Sequence, residues 1–476
     1  MATMLLAAGA AAAAMGGPVP FRGAVPLAQS PHGAAPVGES DVFAYVRALD
    51  DAAARRVWPE FSPSGIPLAL FDGTSTVLLR HPNPPPEFLP MPGHPGALIA
   101  PGRHPAVAGN STTMIGGVRT ATVIATPAQS VDSTTLAVVE ELFHVFWLAR
   151  HPSFRPNELA RYAYPVTDVD NLGRLLAEDE ALARALDGGG TDEAARWTAA
   201  ALAIRRERVL GLADDVRAFE TALEMMEGTA NYVARVAAGK PPARTVDRLR
   251  VPRPAEDIRW RFYDTGTALC LLADRLSPGW QARTDRQPDL TVVDLVDAAL
   301  RGRGVEPAAF SKAETGGFQS GAARQVADLN ARRQQIRAEL AGRQGPRIIV
   351  EVAVGAEPLR VQRFDPINLM VLDAGEMAHA NFITLTVPQG TIELSNPGFV
   401  RRTFGGTVSL TVPVGPHPLS QGIRRLTIVG IQAAPKAGRE GDTITVEAPG
   451  VRLTLRGAEM RTEGDQLRIT VKGALP

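Results

Sequence analysis

The sequence predicts an α+β chain of more than one domain, and three observations carry that prediction. From Pro156 to about residue 343, long Ala, Leu and Arg segments repeat their apolar residues at helical spacing. After Gly345-Pro346 the apolar period changes to two. Ahead of the helices, short β-forming runs surround Asp72-Gly73, a dipeptide suited to a tight hairpin turn. The reading is a mainly helical domain over 40–345 with a small N-terminal β part, followed by an all-β, sandwich-like domain over 346–476.

Length and composition narrow the function. A chain of 476 residues that is 45% hydrophobic has room for two or three cores. Lysine plus arginine and aspartate plus glutamate both number 50, so no charge excess points to nucleic acid, an anionic membrane or a basic partner. The single cysteine, Cys270, excludes an intrachain disulfide and lies in the apolar run Ala268–Leu272. Outside the extreme N-terminus no apolar stretch is long enough to span a bilayer.

Taken in order, residues 1–15 resemble the hydrophobic part of a secretory signal without its basic leader, with Ala-rich disorder as the alternative. Residues 16–39, rich in Pro, Gly and Ala, read as an unstructured stem. Together they point to an extracytoplasmic protein. A helix capped near Ser40-Asp41 is expected to run to about Val57, where Pro59 stops it. Ile66–Phe71 and Thr76–Leu79 are the hairpin strands, and Thr120–Thr126 is a further strand. His81, His94 and His104 each precede a proline in a passage that reads as rigid surface loop. Breaks at Gly188–Gly190, Gly239–Pro242, Pro252–Pro254 and Pro278-Gly279 divide the helical region, whose last, highly charged helix covers about 320–343. Seven β-rich runs then follow, beginning near 348, 382, 407, 425, 443, 451 and 467.

Two helical segments carry the chemistry. Val138–Trp147 reads Val-Val-Glu-Glu-Leu-Phe-His-Val-Phe-Trp, the pattern of a metal helix H-E-x-x-H with Glu140 in the first position. Glu140 and His144, four apart, reach one point in space, while Glu141 is offset by about a quarter turn, as a base acting on bound water requires. Leu136, Val139, Phe143, Phe146 and Trp147 would embed this helix, making its polar trio costly without a partner. The competing reading is an ordinary polar helix edge. In the second segment Glu220, Glu224 and Glu227 share a face that is either solvated or, given the small residues after Glu227, closely approached by another element. Tyr232 adds a buried polar handle.

Glu-Gly-Thr-Ala-Asn-Tyr at 227–232, following the Glu140–Trp147 stretch in the same order, resembles the Glu-Gly-x-Ala-x-Tyr segment of the gluzincin metallopeptidases, including their aminopeptidase branch. The resemblance covers about 40–300 and extends to bacterial gluzincin-like proteins through Trp58-Pro-Glu-Phe, His81-Pro, Gly109-Asn-Ser-Thr, Thr120-Ala-Thr-Val and Tyr263-Asp-Thr-Gly-Thr-Ala. It implies His144 and Glu227 as metal ligands, Glu141 as general base, and Glu140 in the slot of the missing first histidine. The 83 positions from His144 to Glu227 imply an inserted helical region.

One imidazole with two carboxylates is a harder, more anionic donor set than two imidazoles with one carboxylate. Zinc remains suitable, manganese or iron gains ground, and loss of the metal is the alternative. Tyr263, placed before a helix over 265–276, is the candidate oxyanion donor; Arg259 and Arg261 beside it are candidates to bind a substrate carboxylate, and Glu224 to support Glu227. The sequence thus leads to a metal-dependent, peptidase-like hydrolase acting on a peptide or protein. An inactive homologue binding peptide in the same cleft, and an interaction protein working through its C-terminal β domain, are the alternatives.

Overall fold

Asp72-Gly73 makes the turn that its chemistry dictates. Asp72 Oδ1 accepts from the backbone of Thr74 and Ser75 at 2.8 Å, and Gly73 takes the left-handed region at φ 105°. β1 (Leu68–Phe71) and β2 (Ser75–Leu79) pair antiparallel across it. The computed structural model describes residues 49, 51–125, 130–365, 368–373, 375–394, 407–411, 419, 421–431 and 433–473. The signal-like segment, the stem and the start of the first expected helix lie outside them; of the rest of that helix Asp51–Val57 is helical (α1), whereas Leu49 is not.

β3 (Leu89–Pro90), β4 (Ala97–Pro101), β5 (Ser111–Ile115) and β6 (Val118–Ile124) complete a six-stranded sheet of order β3-β4-β2-β1-β6-β5, parallel only between β1 and β6. β3 and β4 lie in the proline-rich passage read as loop; with two and five residues, they show too little alternation to be read as strands.

α2 (Val131–Arg150) packs on β6 and is capped by Ser130, whose hydroxyl accepts from the Ser133 amide at 3.2 Å. Its apolar stripe is buried as the spacing requires: Val138, Leu142, Phe143, Phe146 and Trp147 are at most 6% exposed. Trp58, at the end of α1, meets Phe143, Trp147 and Trp280 edge-on at 5.2–5.6 Å. This cluster fixes the rotation of α2 about its axis, and with it the direction of Glu140 and His144.

The helices follow as α3 (Val169–Asp187), α4 (Thr191–Val209), α5 (Asp214–Leu223), α6 (Thr229–Ala237), α7 (Ala243–Arg250), α8 (Ile258–Leu276), α9 (Trp280–Arg286), α10 (Val292–Arg303) and α11 (Lys312–Gly342). Each expected Gly or Pro break separates two of them. α11 begins at Lys312 rather than near 320, because Gly316-Gly317 does not interrupt it. α8 begins at Ile258, so Tyr263 stands within it and not before a helix over 265–276.

One compact unit ends at Gly342 and the next takes up the chain at Arg343. The second contains a seven-stranded and a six-stranded sheet, antiparallel except where Gln466–Val471 lies parallel to Arg347–Val352. All seven runs read from sequence fall on strands. Six further strands escaped that reading, among them the four edges, Arg360–Phe364, Leu369–Asp373, Lys436–Glu440 and Glu459–Glu463. An edge strand buries little, and Lys436–Glu440 is exposed at every position, so apolar alternation is absent where the strand needs it least.

Candidate metal centre

α2 presents Glu140 and His144 on one face. The opposing carboxylate arrives by a less regular route, since between α5 and α6 the chain makes a π-helical turn over Glu224–Gly228. The wider turn accommodates one more residue and re-aims the side chains after it. Gly228 is pressed against Gly266 of α8: a Cβ built on Gly228 would stand 2.5 Å from Gly266 Cα, and one on Gly266 would stand 2.7 Å from the Glu224 carbonyl oxygen. Backbone meets backbone at this crossing, so only glycine fits on either side. The close approach lets α8 deliver Arg259 and Tyr263 to Glu227.

Glu140, His144 and Glu227 converge, with one donor atom from each lying within 4.8 Å of the others. His144 Nε2 donates to Glu227 Oε2 at 3.1 Å, and Arg259 Nη2 donates to Glu227 Oε1 at 2.8 Å. Arg259 also reaches the Tyr263 hydroxyl at 2.5 Å and Glu158 Oε1 at 3.1 Å. His144 and Glu227 are each 5% exposed, and Glu140 is partly buried. Against burial, which alone would lower it, Glu227 raises His144 to about 9. Against burial, which alone would raise it, His144 and Arg259, with hydrogen bonds from His144 and Tyr263, hold the Glu227 carboxyl at about 2. Burial raises Glu140 to about 7, with His144 opposing and Glu227 adding. Glu141, also buried, is raised to about 8 by burial, then by Glu140 and Glu227 against His144.

Several sequence assignments change. The Tyr263 hydroxyl is engaged by Arg259 and Glu227. Arg259 pairs with Glu227 and Glu158 rather than standing open for a substrate. Arg261 is 5% exposed and is committed to Asp179 at 2.9 Å and Glu178 at 3.2 Å. Glu224 points away from the triad, accepting both terminal nitrogens of Arg205 at 2.6 Å and the Thr265 hydroxyl at 2.5 Å. Glu220 meets Arg208 and Tyr164. The acidic stripe is therefore buried, with each carboxylate answered by arginine. Tyr232 donates to Asp274 Oδ2 at 2.8 Å. His81 meets the Ile115 carbonyl oxygen at the end of β5 at 3.0 Å, and His104 meets Glu87 Oε1 at 3.1 Å.

Sequence reasoning missed the arginines that balance these acids. Arg205 and Arg208, three apart in a helix otherwise rich in buried alanine, both reach Glu178 of α3. That spacing on an apolar face was the available signal. Compared with known protein families, curated proteins and solved structures, the chain matches none.

The residues fit a divalent ion on their own chemistry. Donors of a tetrahedral zinc site lie roughly 3.4 Å apart at bond lengths near 2.0–2.1 Å, so a small inward movement closes the triad on an ion. His144 turns Nε2 toward Glu227, and its Nδ1 is buried without a hydrogen-bond partner among the described residues.

Proposed function

We propose that this chain is a metal-dependent hydrolase of peptide or related carbonyl bonds, with a gluzincin-like centre in which Glu140, His144 and Glu227 hold the ion. The supporting observation is the convergence of three donors from two helices within 4.8 Å around a buried imidazole. A divalent ion there supplies Lewis-acid polarisation and makes its water easier to deprotonate. Glu141, one residue from Glu140 on the same helix, would in its ionised form take a proton from water and return it to the leaving group. Tyr263 and Arg259 hold Glu227 in place. Arg259 also offsets the negative charge that Glu140 adds where the resembled pattern has neutral histidine.

The deciding measurement is the metal content of protein purified without chelator or affinity metal, beside a His144→Ala/Glu227→Ala double variant. About one equivalent is expected in the wild type and none in the variant. Glu141→Gln is expected to retain the metal and lose turnover.

A second reading has its own observation. His144, Glu227 and Arg259 form a cation–anion–cation row that satisfies its charges without an ion. A protein that binds peptide beside these residues without cleaving it fits that row. It predicts no metal after zinc and manganese are supplied, with peptide affinity unchanged in Glu141→Gln.

A further inference from the structure

Arg235 is 9% exposed and forms no salt bridge with a described residue. Its Nε donates to Asn231 Oδ1 at 2.6 Å, an oxygen that also accepts from Thr267 Oγ1 at 3.2 Å. Its terminal nitrogens have no hydrogen bond and are not sealed from solvent. Arg248 on α7 differs in being ion-paired with Asp264 of α8, a carboxylate that Arg253 also meets. The Arg248 Nε donates to Asp264 Oδ1 at 2.5 Å, and its terminal nitrogens carry no hydrogen bond to a described residue.

Burial holds the Arg235 guanidinium below its ordinary value, repulsion from Arg248 and Arg244 adds to that, and Asp264 and Glu140 oppose it. Asp264, which meets Arg248, and Thr267, which meets Asn231 beside Arg235, stand three apart on α8, so the two guanidinium groups are held near each other by their Nε atoms, with the terminal nitrogens left open. Asp264 answers Arg248 and Arg253, whereas Arg235 has no carboxylate of its own among the described residues, and a buried charge left in that state costs stability until an anion reaches it.

Their position relative to the metal centre follows from the helices. α2 and α6 run antiparallel, because His144 meets Glu227 while Asp132 meets Lys240 Nζ at 2.6 Å. Glu227, Asn231 and Arg235 succeed one another at four-residue intervals, so Arg235 lies about 12 Å of helix axis beyond the ligand Glu227. It lies on the Glu140 side, and both Arg235 and Arg248 act on the Glu140 carboxyl.

We propose that Arg235 and Arg248 form a carboxylate-binding subsite beside the metal centre, which selects substrates carrying an acidic side chain or a chain-terminal carboxylate. That the carboxylate belongs to a peptide rests on the hydrolase reading; the anion site itself does not. About 12 Å corresponds to three or four extended residues, so the recognised group lies a few residues from the bond cleaved.

Binding to the full chain tests this without requiring turnover. The probes are acetyl-Ala-Ala-Asp-Ala-amide, its Asn counterpart, and acetyl-tetra-alanine with a free or an amidated C-terminus, titrated by calorimetry. One acidic probe is expected to bind about tenfold more tightly than its neutral counterpart, and which one does so assigns side chain or terminus. Arg235→Gln is expected to abolish the preference with circular dichroism and metal content unchanged. Should that variant fail to fold, Asn231→Ala, which frees the Arg235 Nε, is expected to weaken the preference. Equal affinity for acidic and neutral probes, no binding of any probe, or a preference surviving Arg235→Gln would overturn the subsite. Metal-free protein that keeps the preference would remove the hydrolase reading and leave the subsite standing.

Discussion

At the scale of single residues, a metal at the proposed centre would compete with protons for the same donors. In the metal-free protein His144 is raised to about 9 by Glu227, so its contribution to stability is complete below its ordinary 6.5 and is lost as pH rises through about 9. Glu227 is lowered to about 2, so its contribution is present above 4.5 and is lost as pH falls through about 2. The pair therefore supports the metal-free fold most between about 4.5 and 6.5. Metal must displace the His144 proton and, below about 7, that of Glu140. Zinc affinity is accordingly expected to rise with pH up to about 9, with protons released on binding. Calorimetry in buffers of different ionisation enthalpy reads that release; a pH-independent affinity would contradict ligation by His144.

At the scale of elements, the π-turn and the Gly228–Gly266 crossing decide whether Glu227 reaches the site. Gly228→Ala places a methyl group 2.5 Å from Gly266 Cα, and the two helices must separate to admit it. The expected result is a loss of about 1–3 kcal/mol of stability, read by chemical denaturation, together with weakened metal binding. Ala230→Gly, in the same helix but away from the crossing, is expected to cost about 1 kcal/mol of stability and to leave metal affinity in place. The sequence made the need for small residues after Glu227 legible. It did not reveal the π-turn, because one extra residue in a helix leaves no distinct mark on apolar spacing.

At the scale of the unit ending at Gly342, buried ions join four helices. Glu178 of α3, Arg205 and Arg208 of α4, Glu220 of α5 and Arg261 of α8 form one network, continued by Glu224 in the π-turn. Removing one member strands the opposite charges in a low-dielectric interior. Arg208→Ala is therefore expected to destabilise this unit by about 3–5 kcal/mol, measured by thermal or chemical denaturation, with the β-rich unit from Arg343 unaffected.

Local chemistry controls the helices and their Gly and Pro breaks, the Asp72-Gly73 hairpin, the strands with strict alternation, and the common face of Glu140 and His144, and all of these are readable in the chain. These depend on neighbours within a few residues, so the pattern is written in the chain. Long-range packing settles that the acidic stripe turns inward, that Arg259 and Tyr263 hold Glu227, and that Arg235 has no carboxylate partner among the described residues. The partners in those contacts lie 32 residues apart for Arg259 and Glu227, and 83 for His144 and Glu227. No local preference can choose among distant charges; burial chooses, by making every unmatched one expensive.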